Sequence, residues 1–66
     1  MSKIRKLREK RGLSIIELSH ILLLHPSGLS MTERQKLSAS KRVREGVSKF
    51  FRVSEGKLFD KNGMAI

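Results

Sequence analysis

The sequence contains no cysteine, no tryptophan and no tyrosine, and it has only one proline and three phenylalanines. Without cysteine, the chain can be stabilised neither by disulfides nor by a cysteine-ligated zinc ion. A chain of 66 residues buries little apolar surface. Its core therefore has to come from efficient helix packing, helped by dimerisation where that occurs.

Negative charge is also scarce. Six Asp and Glu residues stand against fifteen Lys and Arg residues, and the formal net charge is +9. Such an excess of one sign is self-repelling in a folded domain unless an anionic partner relieves it. Nucleic acid is the first partner to consider, and a membrane surface is the second. Single-strand binding by base stacking is disfavoured, because it needs exposed aromatic residues and the phenylalanines follow core spacing.

Long hydrophobic runs are absent. The longest clean apolar segment covers residues 21–24, whereas a membrane-spanning helix needs about 20 residues. The basic N-terminus is not followed by an uninterrupted apolar region or by a small-residue cleavage site, so we expect no signal peptide. We therefore expect a cytoplasmic protein that does not bind a membrane.

Residue patterns for catalysis or metal binding are equally sparse. His20 and His25 lie five residues apart, with no cysteine or carboxylate pair nearby, so we expect no metal site. A nucleophilic serine would need an oriented histidine and an acid in a pocket, which a domain of this size does not offer. We expect no enzyme activity, no cofactor and no small-molecule substrate.

Capping residues and apolar spacing predict an all-α fold of five helices, near residues 2–11, 14–23, 26–35, 40–51 and 54–59. Ser14 and Glu17 have the spacing of a capping box, and the His25-Pro26 step separates the second helix from the third. Residues 1–60 are predicted to form one domain. For the tail, residues 61–66, three alternatives stay open: it frays, forms a small strand, or packs on a partner chain.

A helix, a short turn and a second helix in a strongly basic chain are typical of helix-turn-helix proteins. Three further segments fit one such family: IRKLREKRGLS at residues 4–14, LSMTER at 29–34, and FFRVS at 50–54 followed by Leu58-Phe59. They resemble, in order, the first helix with its Gly-Leu-Ser exit, the Ile-Ser-x-Ile-Glu-Arg stretch and the closing Leu-Gly-Val-Ser…Leu-Phe of the Cro/repressor-type (XRE) family. Glu17-Leu18-Ser19 is similar to that family's Glu-Leu-Ala. The resemblance covers roughly residues 3–60.

The resemblance implies a compact lambda-repressor-like domain with a central helix-turn-helix. It implies a sequence-specific transcriptional regulator of phage or prokaryotic type, binding double-stranded DNA as a homodimer with helix 26–35 in the major groove. Helical spacing and the family's core positions predict that Leu18, Leu29, Val47 and Phe50 are buried. The expected base contacts are His25, Ser27, Gly28, Ser30 and Met31. The expected phosphate contacts are Ser14, Arg34, Lys36, Lys41 and Arg42.

The chain also departs from the family. Leu23 stands where the family usually has the glycine of the turn, and Ile15 stands where it usually has a phosphate-binding glutamine. The recognition helix lacks the Arg, Asn and Gln side chains that discriminate bases most strongly. An alternative function is therefore a protein-interaction module on the same fold. It would bind another regulatory protein through an apolar patch on the second helix, unless these residues belong to an adjusted core. The patch residues are Ile15, Ile16, Ile21 and Leu23.

The first helix carries six basic residues from Lys3 to Arg11, opposed only by Glu9. Two interpretations of this face stay open. It is a solvated surface, or one or two of its residues contact phosphates.

Overall fold

The computed structural model describes all 66 residues and contains five α-helices and no β-strand. The helices are α1 (Lys3–Lys10), α2 (Ile15–Leu22), α3 (Pro26–Glu33), α4 (Lys41–Phe51) and α5 (Glu55–Leu58). The predicted all-α, five-helix fold is confirmed. Each predicted span contains its observed helix. At most ends the predicted span is one residue longer, and that residue is the N-cap or C-cap of the helix.

Serine side chains cap the N-termini of three of the helices. The hydroxyl oxygens of Ser2, Ser14 and Ser40 each accept a hydrogen bond from the backbone N–H three residues later, at 3.2, 3.0 and 3.3 Å. The carboxylate of Glu17 accepts the N–H of Ser14 at 2.9 Å, which completes the predicted capping box. These bonds satisfy amides that have no partner within the helix.

The capping box makes helix stability depend on pH. Hydrogen bonds from the backbone and the hydroxyl of Ser14 lower the pKa of the Glu17 carboxyl below its ordinary value of 4.5. Because the pKa is lowered by folding, this stabilisation is present above that ordinary value and is lost as pH falls through the folded-state value. We expect Glu17→Gln to melt below the parent at about pH 6 and at nearly the same temperature at about pH 3. Circular dichroism melts at several pH values test this, and a pH-independent difference would contradict it.

Four of the helices are followed by a residue with left-handed backbone conformation. Gly12 has φ 68° after α1, and Leu23, Gln35 and Arg52 have φ 56°, 62° and 57° after α2, α3 and α4. In all four cases the N–H of the following residue donates to the carbonyl five positions before that residue, at 3.2, 2.8, 2.9 and 3.1 Å. This is the Schellman motif, in which glycine is the usual left-handed residue.

Leu23 therefore adopts the left-handed backbone conformation in which glycine is usual. A leucine adopts this conformation less readily, because its Cβ makes left-handed backbone unfavourable. The side chain of Leu23 is 76% exposed, so little packing depends on it. Left-handed backbone costs a non-glycine residue about 1–2 kcal/mol, and glycine loses about 0.5–1 kcal/mol more chain entropy on folding. We expect Leu23→Gly to stabilise the domain by about 0.5–1 kcal/mol in urea denaturation.

A matched control for that substitution is Ile21→Gly. Ile21 is also exposed but lies inside α2. Glycine there should destabilise the domain by about 0.5 kcal/mol, because it is a poorer helix former than isoleucine. If both variants lose stability equally, the left-handed strain at Leu23 is not the controlling effect.

The core is formed by one or two residues from each helix, joined by Ala39 of the α3–α4 loop, Phe59 just after α5 and Ala65 of the C-terminal segment. Leu18, Leu29 and Val47 are at most 1% exposed, which confirms three of the predicted core residues.

The fourth core prediction, Phe50, is wrong. Phe50 is half-buried and packs against the core edge, while Phe51 is only 5% exposed. Val47 and Phe51 are four residues apart and share the inner side of α4, so Phe50 falls about 100° away from Phe51. The two rings meet edge to face at 5.0 Å.

Residues 61–66 pack against the rest of the chain. Asp60 to Gly63 form a turn, and Phe59 and Ala65 then form an isolated antiparallel bridge. The carbonyl of Ile66 accepts the N–H of Lys3 at 2.7 Å. Ala65 is 2% exposed. The folded unit thus includes the tail, and of the three alternatives the structure shows a minimal strand pairing within the chain.

Candidate nucleic-acid interface

Helices α2 and α3 are joined by residues 23–25 and pack together more extensively than any other pair of helices. The inner side of α3 is anchored by Leu29, Thr32 and Glu33, all of which are buried. Helical spacing then places four residues along the opposite, outward side of α3, which are Ser27, Ser30, Met31 and Arg34. This outward row includes three of the five predicted base contacts.

The two remaining predicted base contacts lie beside this row. His25 stands at the N-cap position of α3 but makes no capping hydrogen bond. Its Nδ1 atom lies 2.8 Å from the hydroxyl of Ser27, and both side chains are exposed. At Gly28 an added Cβ would meet no atom within 4 Å. Packing within the domain therefore does not require glycine there, and the position leaves room for a ligand to approach the helix backbone.

Four of the predicted phosphate contacts lie just after α3 or at the start of α4. Arg34 and Lys36 follow α3, and Lys41 and Arg42 begin α4; all four are exposed. The three salt bridges of the structure are Arg5–Glu9, Arg8–Glu33 and Arg44–Glu55, so none of the four is paired with an acid. Their charges remain available to an external anion.

The start of α4 adds backbone donors to these charges. The amides of Lys41 and Arg42 make no hydrogen bond within the chain, and the first turn of α4 contains no acidic residue. Free amides and the positive end of the helix dipole favour a phosphate at such a position. The fifth predicted phosphate contact, Ser14, uses its N–H and its oxygen in the capping box. Its hydroxyl proton is still available as a donor.

Arg42 also makes a contact that the sequence did not reveal. Its Nη2 atom donates to the carbonyl of Leu23 at 2.9 Å. This bond ties the start of α4 to the turn between α2 and α3. Arg42 therefore supports the geometry of the two central helices in addition to presenting charge.

The ion pair between Arg8 and Glu33 is the main feature that sequence reasoning missed. Arg8 Nε and Nη2 donate to the two carboxylate oxygens of Glu33 at 2.9 and 2.7 Å, and Nη1 donates to the carbonyl of Leu13 at 2.8 Å. The hydrogen bond to Glu33 raises the pKa of Arg8 above its ordinary value. The available signal was that Glu33 follows Leu29 by four residues and therefore faces inward.

The basic surface of α1 is thus partly occupied by contacts within the chain. Arg8 is paired with Glu33, and Arg5 is paired with Glu9 at 3.3 Å. The guanidinium of Arg11 lies over the ring of Phe50, 4.9 Å from its centre. Arginines of this segment have structural partners, whereas its lysines have none.

The structure divides the predicted apolar patch. Ile15 packs against the core and so fits the alternative in which these residues belong to an adjusted core. Ile16, Ile21 and Leu23 are 58%, 51% and 76% exposed. Ile16 and Ile21 are five residues apart, about 140° around the helix. The four side chains therefore do not form one continuous surface.

No helix of the structure is long and apolar enough to cross a membrane. No group of three or more His, Cys, Asp and Glu side chains is arranged to hold a metal ion.

The sequence matches no protein-family model, no curated protein and no solved structure. The resemblance to the Cro/repressor-type family is therefore carried by the residues quoted above.

Proposed function

We propose that the protein is a sequence-specific transcriptional regulator of phage-repressor type, which binds double-stranded DNA as a dimer. The observation that carries this proposal is the outward row of α3, together with the exposed cations that follow α3 and begin α4 and have no acidic partner. A helix about 10–12 Å across with its side chains fits the major groove, where sequence is read.

Phosphates fix the position of the domain on DNA in this mechanism. Arg34 and Lys36 hold one stretch of the backbone, while Lys41, Arg42 and the free amides of α4 hold another. Such contacts supply affinity and orientation but read no sequence.

Base reading falls to short, neutral side chains. The hydroxyls of Ser27 and Ser30 can donate to or accept from base edges, and Met31 can contact the methyl group of thymine. None of these forms the bidentate bonds that discriminate most strongly. We therefore expect affinity to be dominated by phosphates and discrimination between sites to be modest.

The direct experiment is selection of bound sequences from random duplexes, followed by binding measurements over a salt series with particle mass measured in the same samples. The expected result is an enriched sequence, a complex containing two chains, and affinity that falls steeply as salt rises. Absence of duplex binding even at low salt would overturn the proposal and favour a protein partner.

Serine substitutions on α3 separate base reading from phosphate binding. We expect Ser27→Ala and Ser30→Ala each to reduce the affinity ratio between selected and random duplexes by about fivefold, with the salt slope unchanged. Ser54→Ala is the matched control, because Ser54 is exposed, makes no capping bond and lies before α5. If the α3 variants discriminate as well as this control, the outward row is not the reading surface.

A further inference from the structure

A groove of ≈ 320 Å³ lies between α1 and α5, lined by residues that the proposed DNA-binding face does not use. Its floor consists of the half-buried side chains of Leu7 and Val53 over the buried Leu58. Three lysines, all exposed, form its rim; they are Lys3, Lys6 and Lys57. The groove therefore combines an apolar floor with a rim of one charge sign.

The rim charges have no acidic counterpart within the chain. None of the six acidic residues lines the groove, and all three salt bridges use arginine. The first turn of α1 contains Lys3 and no acid, although the positive end of a helix dipole favours anions. Lys3 and Lys6 thus repel both each other and the helix terminus until an anion lies between them.

We propose that this groove binds an acidic peptide segment of another protein, with an aliphatic side chain on the floor and carboxylates at the lysines. Nucleic acid would satisfy the rim but would leave the floor without an apolar partner. An acidic peptide with a leucine-like residue satisfies both parts, and amphipathic segments commonly bind in this way. The inference does not depend on DNA binding, since the groove and the proposed DNA-binding face share no residue.

The probe is the acetylated and amidated peptide Glu-Leu-Glu-Asp-Leu-Leu-Glu-Asp, titrated into the ¹⁵N-labelled chain of 66 residues. We expect the largest amide shift changes in residues 3–7 and 53–58. Lys6→Gln with Lys57→Gln should weaken binding about tenfold, because two charge contacts are lost. Lys10→Gln with Lys61→Gln removes the same charge from exposed positions outside the groove, and it should change affinity less than about twofold.

The peptide's leucines provide the second arm of the experiment, which requires no change to the protein. A peptide with glutamine in place of leucine should lose most binding. Equal binding by both peptides, or equal losses in the two double variants, would overturn the proposal in favour of general attraction between opposite charges. A short duplex that shifts the groove amides and displaces the peptide would overturn it in favour of nucleic acid. No groove shifts at millimolar peptide would overturn it outright.

Discussion

Replacing Arg34 and Lys41 by glutamine is expected to flatten the salt dependence of duplex binding by about 1.8 units of log K against log salt per bound domain. Each phosphate contact contributes about 0.9 to that slope on duplex DNA. Counted per bound domain, the affinity should fall about 60-fold at roughly 0.1 M salt, so a complex of two domains should lose about the square of that factor, and the difference should shrink toward 1 M. Selected and random duplexes should be weakened equally, because phosphates carry no sequence information.

The matched control replaces Arg52 and Lys61 by glutamine. This variant also loses one arginine and one lysine, both exposed and both remote in sequence from α3 and the start of α4. Its salt slope should stay close to that of the parent. We exclude Arg42 from the test pair because its bond to the carbonyl of Leu23 would mix a structural effect with the loss of charge. If both double variants change the slope alike, binding reflects net charge and the proposed face is wrong.

Glu33→Ala is expected to have the largest effect on stability. Glu33 is 4% exposed and holds the guanidinium of Arg8 through two hydrogen bonds. Removal of Glu33 leaves the guanidinium of Arg8, whose side chain is only 12% exposed, without its acidic partner, which costs about 3–5 kcal/mol. A small domain has roughly 5 kcal/mol of total stability, so this variant should unfold at or near room temperature. Urea denaturation followed by circular dichroism measures the loss.

Two further variants separate this effect from others at the same position. Arg8→Met combined with Glu33→Leu removes both charges, and we expect it to unfold within about 1 kcal/mol of the parent, since apolar replacement of a buried pair is commonly neutral or stabilising. Glu9→Ala breaks the exposed pair with Arg5, in which both side chains are nearly half exposed. It should cost less than about 0.5 kcal/mol. A Glu33→Ala protein as stable as the Glu9→Ala protein would contradict a structural role for the Arg8 pair.

The Arg8–Glu33 pair also bears on function, because it connects α1 to the last turn of α3. Together with Arg42 and the carbonyl of Leu23, it holds α3 from two sides. If α3 reads DNA, weakening either contact should reduce binding without removing a group that touches the duplex. Under the proposed function, these residues would position the interface.

The local signals in the sequence were sufficient for the helices. Ser14 and Glu17 form their capping box, Gly12 ends α1 in left-handed geometry, and Pro26 begins α3. Each of these features depends on residues within one helical turn of each other, so a short stretch of sequence is enough to predict it. Exposure of Arg34, Lys36, Lys41 and Arg42 was equally predictable, because charge without a nearby partner stays in water.

Other features were decided only by the tertiary structure. Arg8 and Glu33 are 25 positions apart, and Arg42 and Leu23 are 19 apart, so no local pattern pairs them. The choice between Phe50 and Phe51 depended on how α4 is rotated toward the core. Leu23 stands where the resembled family usually has glycine, and only the structure shows that this leucine adopts the left-handed backbone usual for glycine. In each case contacts between distant segments contribute more free energy than a local preference of about 1 kcal/mol. A local sequence pattern does not reveal these contacts, because the segments come together only in the folded chain.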